Sequence, residues 1–151
     1  MRERFADAVI STHSRLGDDT VVIANSKILE VARFLKEDPE LAFDLMIDLT
    51  AVDHWKNKPR FEVVMHLQSL EKNHRLRVKV PVEGSDPTIE TVSSVWPAAN
   101  WYEREVYDMF GIVFKGHPDL RRILMYPEFE GHPLRKDYPI TKRQPLVGPK
   151  D

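Results

Sequence analysis

The sequence has 151 residues, of which 42% are hydrophobic and 30% charged, and this balance predicts a soluble globular protein of one domain. It contains no cysteine, which excludes disulfides, thiolate catalysis and cysteine-ligated iron–sulfur clusters. The net charge of −2 argues against nucleic acid as the main ligand. No apolar run approaches the ~18 residues that a membrane-spanning helix needs.

The N-terminal part of the chain predicts two helices on either side of a short strand. Apolar residues near helical spacing indicate a helix over residues 2–16 that ends at Gly17. The run TVVIA, residues 20–24, has the composition of a buried strand. A second helix is predicted to follow, with Asn25 or Ser26 as its N-cap.

Three segments then alternate apolar and polar residues with a period of two, which is the pattern of half-buried strands. They cover residues 43–52, 60–69 and 75–82 and are joined by short turns. Short links favour antiparallel neighbours. Both faces of the second segment are mixed around Val64 and His66, so this strand is predicted to lie inside the sheet.

Two further helices are predicted before the regular pattern ends. Asp86 caps the first, which has a proline at its first position and continues to Trp96. The second covers residues 99–110 and ends at Gly111. These elements predict a two-layer α+β domain over residues 1–114, with a mixed, mostly antiparallel sheet and helices on one face.

Residues 115–151 differ in character from the rest of the chain. They carry a net charge of +3, whereas residues 1–114 carry −5. They have too little apolar material for a core of their own, so we predict an extended docking arm that takes its shape from other proteins. Five prolines in the last 25 residues remove backbone donors and favour extended backbone: Pro127, Pro133, Pro139, Pro145 and Pro149.

Four charged residues of the 99–110 helix form the first candidate site: Glu103, Arg104, Glu105 and Asp108. Arg104 can reach Asp108, because residues four apart are neighbours on a helix. One interpretation is a solvated helix face with local ion pairs. A second is a partly buried charge set that fixes the following loop or a partner, and a third is acid–base chemistry by paired carboxylates.

The tripeptide Gly-His-Pro occurs twice, around His117 and His132. Glycine permits positive φ, and a residue before proline is pushed towards extended backbone, so both tripeptides indicate turns with a hydrogen-bonded histidine side chain. A zinc site needs three or four ligands at ordered spacing. Two histidines without a third ligand pattern make a metal site the lesser hypothesis, and partner contact is another.

The third candidate set combines basic and aromatic residues of the arm. Arginine and tyrosine are enriched where proteins bind each other, and a proline-stiffened segment loses less entropy on binding. This favours partner docking over an ordinary basic surface, and over a nucleic-acid arm because acidic residues interrupt the basic run. The members are Arg121, Arg122, Arg135, Lys136, Asp137 and Tyr138. No phosphate-binding glycine loop or nucleophile elbow occurs in the sequence.

Two stretches of the sequence carry a family resemblance. WYEREVYDMFGIVFKGHPDLRRIL, residues 101–124, closely resembles the signature of the 30 kDa subunit of respiratory complex I, also called the C subunit of NADH–quinone oxidoreductase. GHPLRKDYP, residues 131–139, resembles the C-terminal block of the same family. The resemblance is strongest over residues 97–140, and residues 1–40 contribute no matching motif.

The resemblance implies a non-catalytic assembly subunit in the peripheral arm of a proton-pumping NADH–quinone oxidoreductase. In such complexes FMN and iron–sulfur clusters belong to partner subunits, so no cofactor is expected in this chain. The implied partners are the 49 kDa quinone-site subunit and iron–sulfur subunits, at the cytoplasmic side of the bacterial inner membrane. The three candidate sets would then hold the arm or contact partners. Alternatives are the equivalent subunit of a membrane-bound hydrogenase-type complex, a stand-alone histidine-based metal enzyme and a free binding module.

Overall fold

The computed structural model describes residues 5–144. A β-hairpin and a helix come first, three long strands follow, and a second helix lies between two short strands. The elements are β1 (Val9–Arg15), β2 (Asp18–Ile23), a 3-10 turn (Asn25–Lys27), α1 (Ile28–Glu37), β3 (Leu45–Asp53), β4 (Phe61–Ser69), β5 (His74–Val82), β6 (Thr88–Glu90), α2 (Ala99–Phe110) and β7 (Val113–Lys115). We call residues 116–144 the C-terminal segment, and it contains no helix or strand.

The main sheet has five strands in the order β1-β2-β5-β4-β3. Neighbouring strands are antiparallel, except that β2 and β5 run parallel. β4 lies between β3 and β5, inside the sheet, as its mixed faces predict. The short strands β6 and β7 form a separate parallel pair. The mixed, mostly antiparallel sheet that the sequence predicts is therefore confirmed.

The core lies between one face of this sheet and the two helices. The register places Val63 opposite Val80 and Met65 opposite Val78, so adjacent strands present one continuous apolar face. Both helices contribute to the same buried cluster, which places them on that face and gives the predicted two layers. Their buried apolar residues are Ile28, Val31, Ala32, Leu35, Ala99, Val106, Met109 and Phe110.

Both helices, α1 and α2, lie where the sequence predicts a helix. Gly111 ends α2 with a left-handed φ of 75°, and its N–H donates to the carbonyl of Tyr107. The side-chain cap of α1 predicted from Asn25 or Ser26 is not formed, because the 3-10 turn Asn25–Lys27 precedes the helix and Lys27 takes the N-cap position. Asn25 Nδ2 donates to the Thr88 carbonyl at 2.8 Å. Neither helix in residues 5–144 has the length and apolar run needed to cross a bilayer.

The helix predicted over residues 2–16 is wrong wherever the structure describes that range. Residues 9–15 form β1, because the sequence VISTHSR contains the β-branched residues Val9, Ile10 and Thr12, which favour strands. Leu16 and Gly17 have φ of 55° and 86°, and two successive positive values make the type I′ turn of a tight hairpin. Ile10, on the predicted apolar side, is 59% exposed.

The helix predicted from Asp86 to Trp96 is also wrong, although its apolar residues are buried as expected. Residues 88–90 form β6, which pairs with β7, and a turn follows in which the N–H of Trp96 donates to the Val92 carbonyl. β-branched residues at 88, 89, 91 and 92 favour the strand. β7 was not predicted, although Ile112, Val113 and Phe114 have side chains that favour strands, and it crosses the predicted domain boundary between residues 114 and 115.

Candidate functional site

Three of the four charged residues predicted on α2 are buried. Glu103 and Asp108 are 0% exposed and Arg104 is 8% exposed, whereas Glu105 faces solvent. Only Glu105 therefore fits the interpretation of a solvated helix face. A buried charge must be paired or hydrogen-bonded to be tolerated, so the contacts of the other three residues define what this part of the chain does.

The Asp108 carboxylate holds the first part of the C-terminal segment. Its Oδ2 accepts hydrogen bonds from the backbone N–H groups of Ile123 at 3.1 Å, Leu124 at 2.9 Å and Met125 at 2.9 Å. Its Oδ1 pairs with Nη1 of Arg122 at 2.8 Å. Charge-assisted bonds of this kind are stronger than neutral ones, so one carboxylate fixes the path of four consecutive residues.

Arg104 holds the same stretch from its carbonyl side. Its guanidinium donates to the carbonyl oxygens of Arg121, at 3.2 Å, and Arg122, at 3.5 Å. It also lies 5.0 Å from the centre of the Trp101 ring, within the range of a cation–π contact. The predicted pair of Arg104 with Asp108 is replaced by that of Arg122 with Asp108, because the segment folds back onto the helix.

Glu103 points in a different direction, towards the turn that precedes α2. It accepts a hydrogen bond from the N–H of Val92 at 2.7 Å and another from the hydroxyl of Thr91. Nε2 of His117 lies 4.0 Å from its Oε2, and both side chains are fully buried. Burial raises the pKa of Glu103 to about 7, although the bonds from Thr91 and Val92 act against that rise.

A second buried carboxylate, Asp53, holds the later part of the segment. It lies at the end of β3 and accepts the backbone N–H of Lys136 at 2.7 Å and that of Trp55 at 2.8 Å. Arg60 binds both of its oxygens, through Nε at 3.0 Å and Nη2 at 2.8 Å. Burial disfavours the charge of Asp53, but the bonds from Arg60 and the two N–H groups outweigh it, so its pKa is below the ordinary value.

Arg60 also reaches the segment itself. Its guanidinium pairs with Asp137 at 2.9 Å, and this contact lowers the pKa of Asp137. Neither Asp53 nor Arg60 was predicted from the sequence as a site residue. A signal was present, because the period of two places Asp53 on the core side of β3 with Leu49 and Ala51, where a carboxylate needs a partner.

The two Gly-His-Pro histidines bind backbone groups. Nδ1 of His117 accepts the N–H of Asp119 at 3.0 Å, so the proton lies on Nε2, which donates to the Asn100 carbonyl at 3.1 Å. Nδ1 of His132 donates to the Asp108 carbonyl at 3.0 Å. The preceding glycines, at 116 and 131, have φ of 79° and 99°. Within residues 5–144, no three His, Cys, Asp or Glu side chains are placed to hold a metal ion.

The remaining predicted residues have mixed roles. Lys136 contributes its backbone N–H to Asp53 and its residue is exposed. Tyr138 stacks on Phe129, with ring centres 6.0 Å apart. Arg135 lies over the Phe61 ring and pairs with Asp137 at 3.3 Å. Most residues of the three candidate sets therefore make contacts that attach the C-terminal segment to the rest of the domain.

The fold and these contacts define a class of protein: a small α+β module that holds an irregular, proline-rich segment on its own surface with buried carboxylates. The chain belongs to the family described as the 30 kDa subunit of respiratory-chain NADH dehydrogenase, whose model matches residues 21–144. This confirms the resemblance of the 101–124 and 131–139 stretches.

Individual relatives are similar over nearly the whole chain. The NADH-quinone oxidoreductase C subunit of Geotalea uraniireducens is 47% identical over 98% of this chain and 90% of the relative. The protein of the same name from Geobacter sulfurreducens is 48% identical over 98% and 92%. Similarity therefore extends into residues 1–40, where the sequence shows no family motif.

Two solved structures share the fold. The trypsin-resistant fragment (1–134) of Nqo5 has a TM-score of 0.68 and 34% identity, over 79% of this chain and 95% of that one. A chain of the membrane-bound sulfane sulfur reductase, an archaeal respiratory membrane complex, has a TM-score of 0.76 and 32% identity, over 93% and 82%. The α+β fold therefore occurs in more than one kind of respiratory complex.

Proposed function

We propose that this chain is a non-catalytic assembly subunit of an NADH–quinone oxidoreductase, whose holoenzyme passes electrons from NADH through FMN and iron–sulfur clusters to quinone. The observation that carries the proposal is the identity of 47–49% to proteins named as the C subunit of NADH-quinone oxidoreductase, over 98% of this chain. The buried acids of this chain support it, since Asp53 and Asp108 bind backbone and arginine groups of the chain itself.

The cofactors of the reaction lie in other subunits under this proposal. The sequence has no cysteine to ligate an iron–sulfur cluster, so this chain contributes position and contact instead. Its partners are the 49 kDa quinone-site subunit and iron–sulfur subunits. The complex attaches the chain to the cytoplasmic side of the bacterial inner membrane as a peripheral subunit.

The C-terminal segment is the docking arm in this proposal. Buried groups of the helix and β3 hold its backbone in one shape before any partner arrives, which reduces the entropy lost on binding. Glu103, Arg104, Asp108, His117 and His132 act as internal supports. Side chains that remain exposed on the segment, above all Arg121, are then available to partner subunits.

A second respiratory complex is the alternative function. The sulfane sulfur reductase chain has a higher TM-score, 0.76, than the Nqo5 fragment, 0.68, so an equivalent subunit of a hydrogenase-type or related complex is compatible with the fold. The electron donor separates the two proposals. A purified complex that oxidises NADH and reduces quinone supports the first, and one that uses another donor supports the second.

Co-purification tests the proposal directly. The chain, affinity-tagged in its native host, is isolated in mild detergent and its partners are identified and counted. We expect a stoichiometric complex with NADH:quinone activity that is lost when the gene is deleted. A stable monomer without stoichiometric partners would contradict the proposal, as would a tightly bound metal ion at one per chain, which would favour the stand-alone metal enzyme.

A further inference from the structure

A groove of about 670 Å³ lies between α2 and the C-terminal segment. Trp101 and Tyr107 line it from the helix, and Leu120, Ile123 and Met125 line it from the segment. We propose that this groove binds an acidic segment of a neighbouring subunit that carries an apolar anchor. The inference rests on the proposed function as a subunit and adds the chemistry of one partner.

The shape of the groove is fixed by bonds within the chain. Asp108 holds the N–H groups of Ile123 and Met125, and Arg104 holds the carbonyl of Arg121. Both walls therefore exist before a partner binds. A preformed site loses less conformational entropy on association than a segment that orders as it binds.

The groove offers an aromatic surface for an apolar anchor. Trp101 is 63% exposed, which is unusual for the largest apolar side chain on a helix that is otherwise well packed. Exposed aromatic surface beside a groove is typical of interaction sites, and tryptophan is enriched among the residues that contribute most to binding. The contact with Arg104 holds the indole in place.

The charge of the groove selects an acidic partner. Among the residues that the structure describes, its lining contains three arginines and no carboxylate. Arg122 is neutralised by Asp108, but Arg104 forms no ion pair with any residue of the described range 5–144 and bonds only to carbonyl oxygens there. The Arg121 side chain is 72% exposed, and its ion pair within that range is with Asp119, also on the surface. Exposed pairs are weak, so a partner carboxylate can bind this arginine.

Photo-crosslinking in the assembled complex tests the proposal. The photoreactive residue p-benzoyl-phenylalanine is placed at position 101 of the tagged chain, the purified complex is irradiated, and crosslinked peptides are identified by mass spectrometry. We expect one dominant peptide from another subunit, with Asp or Glu next to Leu, Ile, Met or Phe. Arg121→Glu in the same background is expected to lower the crosslink yield about tenfold, because like charges would then face each other.

Matched variants separate this effect from a general change in charge. Arg15→Glu makes the same change at an exposed residue of β1 outside the groove and should leave the yield unchanged. Glu105→Gln, exposed on the same helix, should not lower it. If the probe at position 101 prevents assembly, the same probe in place of Tyr107, on the same wall, is judged by the same criteria.

Several results would overturn the proposal. They are a crosslink to a lipid, to a second copy of this chain or to a peptide without carboxylates, and an absent crosslink in a complex that contains the chain. Failure of the proposed function looks different, because the tagged chain would then purify without stoichiometric partners. A chain that assembles while its groove captures no acidic peptide would refute the groove alone.

Discussion

The sheet domain and the C-terminal segment of this chain are held in place by different forces. In the sheet, side chains such as Val63, Met65 and Val80 bury apolar surface against two helices. In the segment, backbone N–H groups bind two buried carboxylates, Asp108 and Asp53. Apolar burial is non-directional and proportional to area, whereas a buried charge stabilises only when its bonds are complete.

This difference shows how a proline-rich stretch without a core can take one shape. The composition of the arm predicts that it obtains its shape from other proteins. In the structure, residues 121–136 obtain much of it from their own domain, because the carboxylates that fix them lie in α2 and β3. The bonds that hold it come from two acids, Asp108 and Asp53, and two arginines, Arg104 and Arg60.

The largest expected effect is in the sheet. Leu67→Ala removes a fully buried side chain from β4, and such truncations cost about 2–5 kcal/mol. We expect the free energy of unfolding, measured by urea denaturation, to fall by this amount in one transition. The sheet and the C-terminal segment should unfold at the same urea concentration. A segment that stays protected from protease after the sheet has unfolded would contradict the dependence of the segment on its domain.

The next effect separates the two regions. Asp108→Ala leaves three N–H groups and the partly buried Arg122 without their acceptor, and removing one member of such a buried set costs about 3 kcal/mol. We expect limited proteolysis to cut within residues 120–130 while the sheet domain survives. Glu105→Ala, on the exposed side of the same helix, is the control and should change neither cleavage nor stability. Equal resistance of the Asp108 variant and the control would refute the role of Asp108.

A smaller effect depends on pH. The folded pKa of Glu103, about 7, lies above its ordinary value of 4.5, so the folded state binds the proton more tightly. Its contribution to stability is full below pH 4.5 and is lost as pH rises through 7. We expect Glu103→Gln to flatten this part of the pH profile of the free energy of unfolding. The pKa values of Asp53 and Asp137 are lowered from 3.8, so their contributions to stability are lost only as pH falls below that value. A pH profile that Glu103→Gln leaves unchanged would contradict the assignment.

The smallest effect on stability is expected at Arg121. Its exposed pair with Asp119 contributes little, so Arg121→Ala should change the free energy of unfolding by less than about 0.5 kcal/mol. The same variant should be retained less well in the purified complex during a salt wash, because its side chain is proposed to face a partner. Arg15→Ala is the matched exposed control. Unchanged retention would remove Arg121 from the docking surface.

The sheet was largely predictable from the sequence because its signal is local. Alternation with a period of two located β3, β4 and β5, and the left-handed glycine at 111 located the end of α2. β1 and β6 were predicted as helices, since short apolar runs fit both periods and β-branched composition decided the outcome. The parallel pairing of β2 with β5 joins distant residues and has no local signature.

The sequence predicted many residues of the candidate site but few of the hydrogen bonds and ion pairs that they form. The charges of α2 and the repeated Gly-His-Pro stood out as unusual patterns. The sequence does not show which carboxylate binds which backbone N–H, because the chain folds back over a separation of 15–17 residues for Asp108 and 83 for Asp53. Arg60 was missed because its role exists only once β3, β4 and the segment meet.

Amide hydrogen exchange of Ile123, Leu124 and Met125 in the isolated full chain tests the central claim most directly. If Asp108 fixes this stretch without help from partners, these three N–H groups exchange slowly in the native chain and at the rate of an unstructured peptide in Asp108→Ala, while β4 stays protected in both. Fast exchange of all three in the native chain, with slow exchange only inside the assembled complex, would show that partner subunits shape the segment and would contradict the account.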